Sequence, residues 1–358
     1  MFDNIFTNAP SDGRIFLLTG QNGSGKTRAM EEISKKVLAD LVSGTGRTNR
    51  LLCLSGTVLD KFPRTPTDRD FYAYFGRKTN TNMISEYAPY RRLVEFLLAS
   101  MDNWSDRAEI ARDLLQSIGL GNQIHFKFRR GRTTKDRPAA ELPGNLNVRI
   151  QLDASDFTEP EFANRLEQLR NNMIHVSSVC FTKGNIEYDI SDLSSGERAY
   201  ALTILTIAFC TIDNTVILFD EPENSLHPKW QASIIKDMWE TLSNVAADVK
   251  LVIATHSPLI VSGALNNHTY IFDLETQRDW VHSTMFGNTS DSVLKEQFRL
   301  RTSRSILFLS QIRKCLDAMI SSQIRPAQFI IEADALFALQ IELDREDPLY
   351  LTYKDIKD

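Results

Sequence analysis

The chain has 358 residues, 42% of them hydrophobic and 24% charged, with a net charge of −5. That balance gives a globular chain with a sizeable core and excludes a globally basic nucleic-acid binder, so any basic surface must be local. The start "MFDNIFTNAP" lacks the basic and apolar regions of a signal peptide, and no apolar run nears the roughly 18 residues of a membrane span, so the expected location is cytoplasmic. Cys53, Cys180, Cys210 and Cys315 are scattered without metal-ligand spacing and read as reduced core thiols.

In chain order, "RIFLLTG" (14–20) predicts a strand, followed by a glycine-rich turn and a helix from Lys26 to about Leu41. "RLLCLSG" and "FYAYFGR" (71–77) predict two more strands. Residues 85–118 predict helices, with Ser105 as N-cap of the second. "IHFKF" and "LNVRIQLD" alternate as two hairpin strands with a long tip. Next come a polar amphipathic helix, "EPEFANRLEQLRNNM", a helix over "SGERAYALTILTIAFC" and a buried strand, "TVILFDE". "PKWQASIIKDMWETLSNV" predicts a helix with Pro228 near its first turn. Strands "KLVIATH" and "HTYIFDLE" and helical stretches near 291–321 complete the pattern. Buried strands alternating with helices predict a parallel α/β core.

"GQNGSGKT" (20–27) fits G-x-x-x-x-G-K-[ST] between a strand and a helix, the setting in which this pattern binds phosphates. Backbone N–H groups around Gly20, Asn22, Gly23, Ser24 and Gly25 would wrap the phosphates. Lys26 would reach the outer ones and Thr27 would ligate Mg²⁺. The strand "TVILFDE" ends in Asp220 and Glu221, at the strand end where parallel sheets bind ligands. Asp220 would hold Mg²⁺ and Glu221 would act as general base toward water. A second apolar strand ends at His256, whose neutral imidazole would contact the γ-phosphate and the attacking water. In "LSSGE", the Ser194 hydroxyl and the N–H groups of Ser195, Gly196 and Glu197 open a helix toward an anion.

The four motifs "GQNGSGKT", "LSSGE", "ILFDEPE" and "ATHSP", in this order, resemble those of ABC-type ATPases, over most of residues 14–275. "LSSGE" with "DEPENSLHP" is similar to SMC-like and bacterial defence ATPases, without the long coiled coil of SMC proteins. "DKFP", "YFGRKTNTNMIS" and "GNTSDSVLKEQF" are similar to ATPase subunits of Septu-type and retron-linked antiphage systems. The resemblance implies one ATPase head of 358 residues. Its P-loop core would span 1–60 and 190–290, its inserted helical and β lobe 60–190, and its C-terminal helical segment 291–358. It also implies ATP and Mg²⁺ as ligands and a homodimer or higher oligomer closed around ATP, with Ser225 and His227 near that interface. A partner effector, a nuclease, would be controlled by the nucleotide state. An SMC-type DNA-maintenance ATPase or a transporter ATPase subunit is the alternative.

Three positions depart from the pattern. Only a short leader precedes the first strand, where an adenine-stacking aromatic residue is usual. No glutamine follows a strand to contact Mg²⁺, which leaves Asn80 or Asn82 for that role. Ser195 stands where glycine is commoner. Lys127, Arg129, Arg130, Arg132, Lys135 and Arg137 against Asp136 make a local basic patch, suited to DNA, RNA, a retron nucleoprotein or an acidic partner. "FIIEADAL", with Glu332 and Asp334, echoes the start of a Toprim nuclease, but 24 residues follow Asp334, too few for that domain. The segment is expected to be a strand or helix.

Overall fold

The computed structural model describes residues 8–64, 70–79, 83–99, 104–131, 146–153, 160–276, 279–298, 305–320, 327–341, 343, 345 and 347–357. The chain divides into two compact units, Met1–Arg299 and Leu300–Asp358. The first begins with β1 (Ile15–Thr19), α1 (Lys26–Ser43), β2 (Arg50–Ser55) and β3 (Tyr72–Phe75). Helices α2 (Ala88–Ala99) and α3 (Trp104–Ser117) follow, then β4 (Gln123–Arg130), β5 (Val148–Gln151), α4 (Pro160–Arg170), β6 (Ile174–Lys183) and β7 (Ile186–Asp189). Next are α5 (Ser195–Cys210), β8 (Thr215–Asp220), α6 (Pro228–Val245), β9 (Lys250–Ala254) and α7 (Pro258–Gly263). The unit closes with β10 (Thr269–Asp273), β11 (Val281–His282) and α8 (Ser290–Glu296).

Seven strands form one sheet in the order β11-β10-β1-β9-β8-β2-β3, parallel throughout except for β11. Its strands are nearly continuous apolar runs because both faces are covered. On one face Phe16, Leu18, Leu51, Cys53 and Leu218 pack on Ala29, Met30, Ile33 and Val37 of α1. On the other, Ile15, Leu17, Ile217 and Ile253 share a core with α5 and α6 through Ile204, Ile207, Ile234 and Met238. The sheet topology therefore brings the C-terminal ends of β1, β8 and β9 side by side. Those are the ends that carry the phosphate-loop, acidic and histidine motifs.

The predicted hairpin of β4 and β5 is present, with Ile124 opposite Ile150. It belongs to a four-stranded antiparallel sheet, β5-β4-β6-β7. β6 and β7 are not evident from the sequence pattern, and the reason is local. The β4–β6 register shifts between Lys127 and Phe128, leaving Ser177 as an extra residue opposite. That bulge breaks the period-two alternation by which a half-buried strand is recognised. Ser105 proves to lie inside α3, which starts at Trp104, so it does not cap that helix.

The second unit comprises α9 (Ile306–Ile320), α10 (Ala327–Phe337) and α11 (Tyr350–Lys357) around Phe308, Ile312, Cys315, Phe329 and Leu336. Glu332 and Asp334 lie on helix α10. All four cysteines are buried free thiols. Among the described residues, no helix is long and apolar enough to cross a membrane.

Candidate functional site

The turn between β1 and α1 has the backbone form that the expected phosphate loop requires. Gly23 and Gly25 have φ of 88° and 97°, the left-handed region that glycine enters without steric cost, and Gly25 forms the N-cap of α1. No side chain caps that helix end. Its N–H groups are therefore available to an anion. Lys26 is buried, and its Nζ donates to the carbonyls of Gly20 (2.9 Å) and Gln21 (3.0 Å). Burial pushes its pKa down, while Glu221, Glu223, Asp220 and Glu275 pull it up. The Ser24 hydroxyl is buried without a hydrogen-bond partner.

Asp220, at the end of β8, is fully buried, and neither carboxylate oxygen has a hydrogen-bond partner. Burial is the main cause that raises its pKa to about 7, and the nearby Thr27 hydroxyl holds part of that rise back. Desolvation disfavours the bare carboxylate anion, and a cation bound beside it would balance that charge. These two residues thus fit Mg²⁺. Among the described residues no three His, Cys, Asp or Glu side chains converge on a metal. The remaining ligands would be phosphate oxygens and water, the usual Mg²⁺ arrangement.

Glu221 holds φ 49° and ψ 59°, a left-handed backbone that costs a non-glycine residue on the order of 1–3 kcal/mol. Its Oε2 accepts from Asn224 Nδ2 at 2.7 Å, and its N–H donates to the Ala254 carbonyl. The end of β2 pins it from the other side. Gly56 donates to the Asp220 carbonyl, and a Cβ at Gly56 would lie 2.0 Å from the Glu221 carbonyl oxygen. Gly56→Ala should therefore displace Glu221 and lower kcat by on the order of a hundredfold. Steady-state turnover checks this; an alanine variant with normal kcat would show that the backbone there can give way.

The turn that follows Glu221 folds Glu223 back onto the end of β9. Its buried Oε1 accepts from the Thr255 hydroxyl (2.9 Å) and the His256 N–H (2.7 Å). His256 Nδ1 sits 3.0 Å from the same oxygen and 3.8 Å from Glu221 Oε1. Glu223 raises the His256 pKa more than burial lowers it. The imidazole is thus drawn toward its charged form, where the motif alone suggested a neutral one. Glu223 is the residue that joins the acidic and histidine motifs, and its spacing in "DEPE" carried no sign of that role.

Two further contacts steady the phosphate loop. Glu275, just past β10, accepts the Gln21 N–H at 2.7 Å. Gln297, just past α8, donates to the Thr19 hydroxyl at 2.8 Å. Asn80 and Asn82 lie outside the described residues.

Ser194 caps α5 in a reciprocal box. Its hydroxyl accepts from the Glu197 N–H, and its N–H donates to the Glu197 carboxylate. Ser194, Ser195 and Gly196 line a groove of about 660 Å³ together with Ser225, His227 and Trp230. The second helix N-terminus of the motif set and the loop after Glu221 therefore share one surface. In the basic patch, Arg129 and Arg130 are exposed at the end of β4. Lys127 is paired with Glu187 at 2.6 Å, and Lys127 with His125 holds the Glu187 carboxyl down to about 2. Lys127 thus adds little free positive charge. Arg132, Lys135 and Arg137 lie outside the described residues.

Comparison with known proteins bears on this geometry. Residues 78–262, just over half of the chain, match the family model AAA_21, described as "AAA domain, putative AbiEii toxin, Type IV TA system". The match contains the α5 motif and the ends of β8 and β9; the phosphate loop precedes it. "Retron Vc95 probable ATPase" of Vibrio cholerae serotype O1 biovar El Tor is 22% identical over 56% of this chain and 37% of its own length. "Retron Ec83 probable ATPase" of Escherichia coli is 23% identical over 47% and 29%, respectively. "Protein ea59" of Escherichia phage lambda is 32% identical over 27% and 19%. The matched stretch thus spans less than two fifths of each of these relatives. With the phosphate-loop motif, the buried aspartate and the histidine brought to one sheet edge, the chain has a P-loop core and belongs to the AAA_21 family.

Proposed function

We propose that two copies of this chain close around ATP and Mg²⁺, and that the nucleotide state switches a partner effector, a nuclease, in phage defence. The observation that carries this reading is the pair of anion-directed helix ends in one chain. The α1 end, with Lys26, forms a complete cradle for one triphosphate. The α5 end is exposed at Ser194 and Ser195, on the surface that also carries Ser225 and His227. A helix end of that kind suits the γ-phosphate held by another copy.

Within each site the chain's residues divide the work. Lys26 neutralises charge on the outer phosphates. Glu221 orients water and accepts its proton, held by Asn224 and the strained backbone. His256, held by Glu223, donates toward the γ-phosphate. Thr27 and Asp220 would hold Mg²⁺, which supplies positive charge to the β- and γ-oxygens. Loss of the γ-phosphate removes the group that both subunits share, which makes hydrolysis an opening step.

The defence role draws on the retron-linked names of two relatives. Tagged protein purified from its native genomic context should co-purify a neighbouring gene product, with retention differing between ATP and ADP. Absence of any stable partner in either state would refute effector control. The exposed Arg129 and Arg130 mark where nucleic acid would meet the β4 end. Reversing both to Glu should weaken binding uniformly across sequences and reduce the slope of log affinity against log salt by about 2. Unchanged filter-binding curves would remove this surface from the account.

A further inference from the structure

Lys183 is the last residue of β6, beside the Gly184–Asn185 turn into β7. Its Nζ lies 2.7 Å from Glu197 Oε1, in a pair that is mostly shielded from solvent, and 5.6 Å from the centre of the Tyr188 ring. The other oxygen of Glu197 accepts both the N–H and the hydroxyl of Ser194, each at 2.9 Å. A carboxylate therefore sits at the mouth of α5, bonded to the hydroxyl that the dimer reading aims at a phosphate. Burial pushes the Glu197 carboxyl up, but Lys183 and Ser194 outweigh it and hold it below the usual carboxylate range.

That charge suits the positive end of a helix and opposes an incoming phosphate. Within a closing interface, two anions that share one serine repel strongly unless a cation balances them. The cation here comes from a separate sheet. β6 is fixed by pairing with β4 and β7. Lys183 thus keeps its place without help from α5.

We infer that Lys183 is a positioning residue for the nucleotide site completed by a second copy of this chain: it neutralises Glu197, so that Ser194 and the α5 N-terminus can accept the partner's γ-phosphate. This rests on the dimer reading above. It assigns to the antiparallel sheet a direct part in ATP-dependent association.

The test is light scattering against ATP concentration, with Mg²⁺, in four proteins that share Glu221→Gln. One carries that change alone. The others add Lys183→Met, Lys183→Arg, or Lys183→Met with Glu197→Gln. Lys183→Met should raise the ATP concentration for half-dimerisation roughly tenfold, because each dimer loses the balancing charge at two helix ends. Lys183→Arg should stay close to the parent. Adding Glu197→Gln to Lys183→Met should restore the midpoint to within about twofold of the parent, since the opposing charge is gone as well. A midpoint unmoved by Lys183→Met would overturn the inference, as would a loss that Glu197→Gln does not recover, which marks a packing role. A Glu221→Gln parent that stays monomeric defeats the dimer reading itself, whatever Lys183 does, and the inference with it.

Discussion

Glu221→Gln should lower ATP turnover by about 10²- to 10⁴-fold, the usual contribution of a positioned general base. The amide keeps the oxygen that accepts from Asn224, so the side chain should remain in place. What it loses is the ability to take a proton from water. Glu221→Gly gives a useful contrast. It removes the base too, but it relieves a left-handed backbone that glutamate occupies only under strain. The glycine variant should therefore be as inactive as the glutamine variant and melt higher, with a gain of up to about 1 kcal/mol. Phosphate-release kinetics and thermal melts of the two variants side by side check both parts. Substantial turnover in either would assign the base to another residue.

The second large effect is expected at Glu223. Glu223→Ala leaves the Thr255 hydroxyl and the His256 N–H buried without an acceptor and removes the ion pair to the imidazole. Losing a buried charged acceptor of two hydrogen bonds costs about 3 kcal/mol. It should lower both Tm and turnover. Glu223→Gln separates the two contributions, because its amide oxygen can still accept from Thr255 and His256. Only the charge that raises the histidine pKa is lost. A histidine pKa raised by folding adds stability in full below the ordinary value of 6.5, and that stability fades as pH rises through the folded pKa. The wild type should therefore lose stability relative to Glu223→Gln as pH rises from about 6 upward. Parallel melting curves for the two proteins from pH 5.5 to about 8.5 would contradict this account of the contact.

The phosphate cradle and the acidic strand end were legible because each is contiguous. A strand, a glycine turn and a helix follow one another within residues 14–41, and Asp220 directly ends an apolar run. The groups that hold these motifs were not legible, because sheet order differs from chain order. β10 lies beside β1, which brings Glu275 to the Gln21 N–H across more than 250 residues. β9 lies beside β8, so the left-handed turn at Glu221 can carry Glu223 to His256. Gly56 looked like an ordinary strand terminus, yet the β2–β8 pairing presses it against the Glu221 carbonyl. The antiparallel sheet was half visible. The alternation of β4 and β5 survived, while the bulge at Ser177 hid β6, and with it the strand that delivers Lys183. The α5 motif was visible as a helix start. Its reciprocal bonding to Glu197 is local to that helix start, but the cation behind Glu197 is not, because Lys183 comes from the end of β6 in the other sheet.

The central claim is that ATP joins two copies of this chain through the α5 end. It is tested most directly by the molar mass of the Glu221→Gln protein in solution with ATP and Mg²⁺, against ADP and Mg²⁺. The account predicts twice the 40.7 kDa chain mass, or a higher even multiple, with ATP, and a return toward the single chain with ADP. A mass that stays at one chain when ATP occupies the phosphate loop would contradict it.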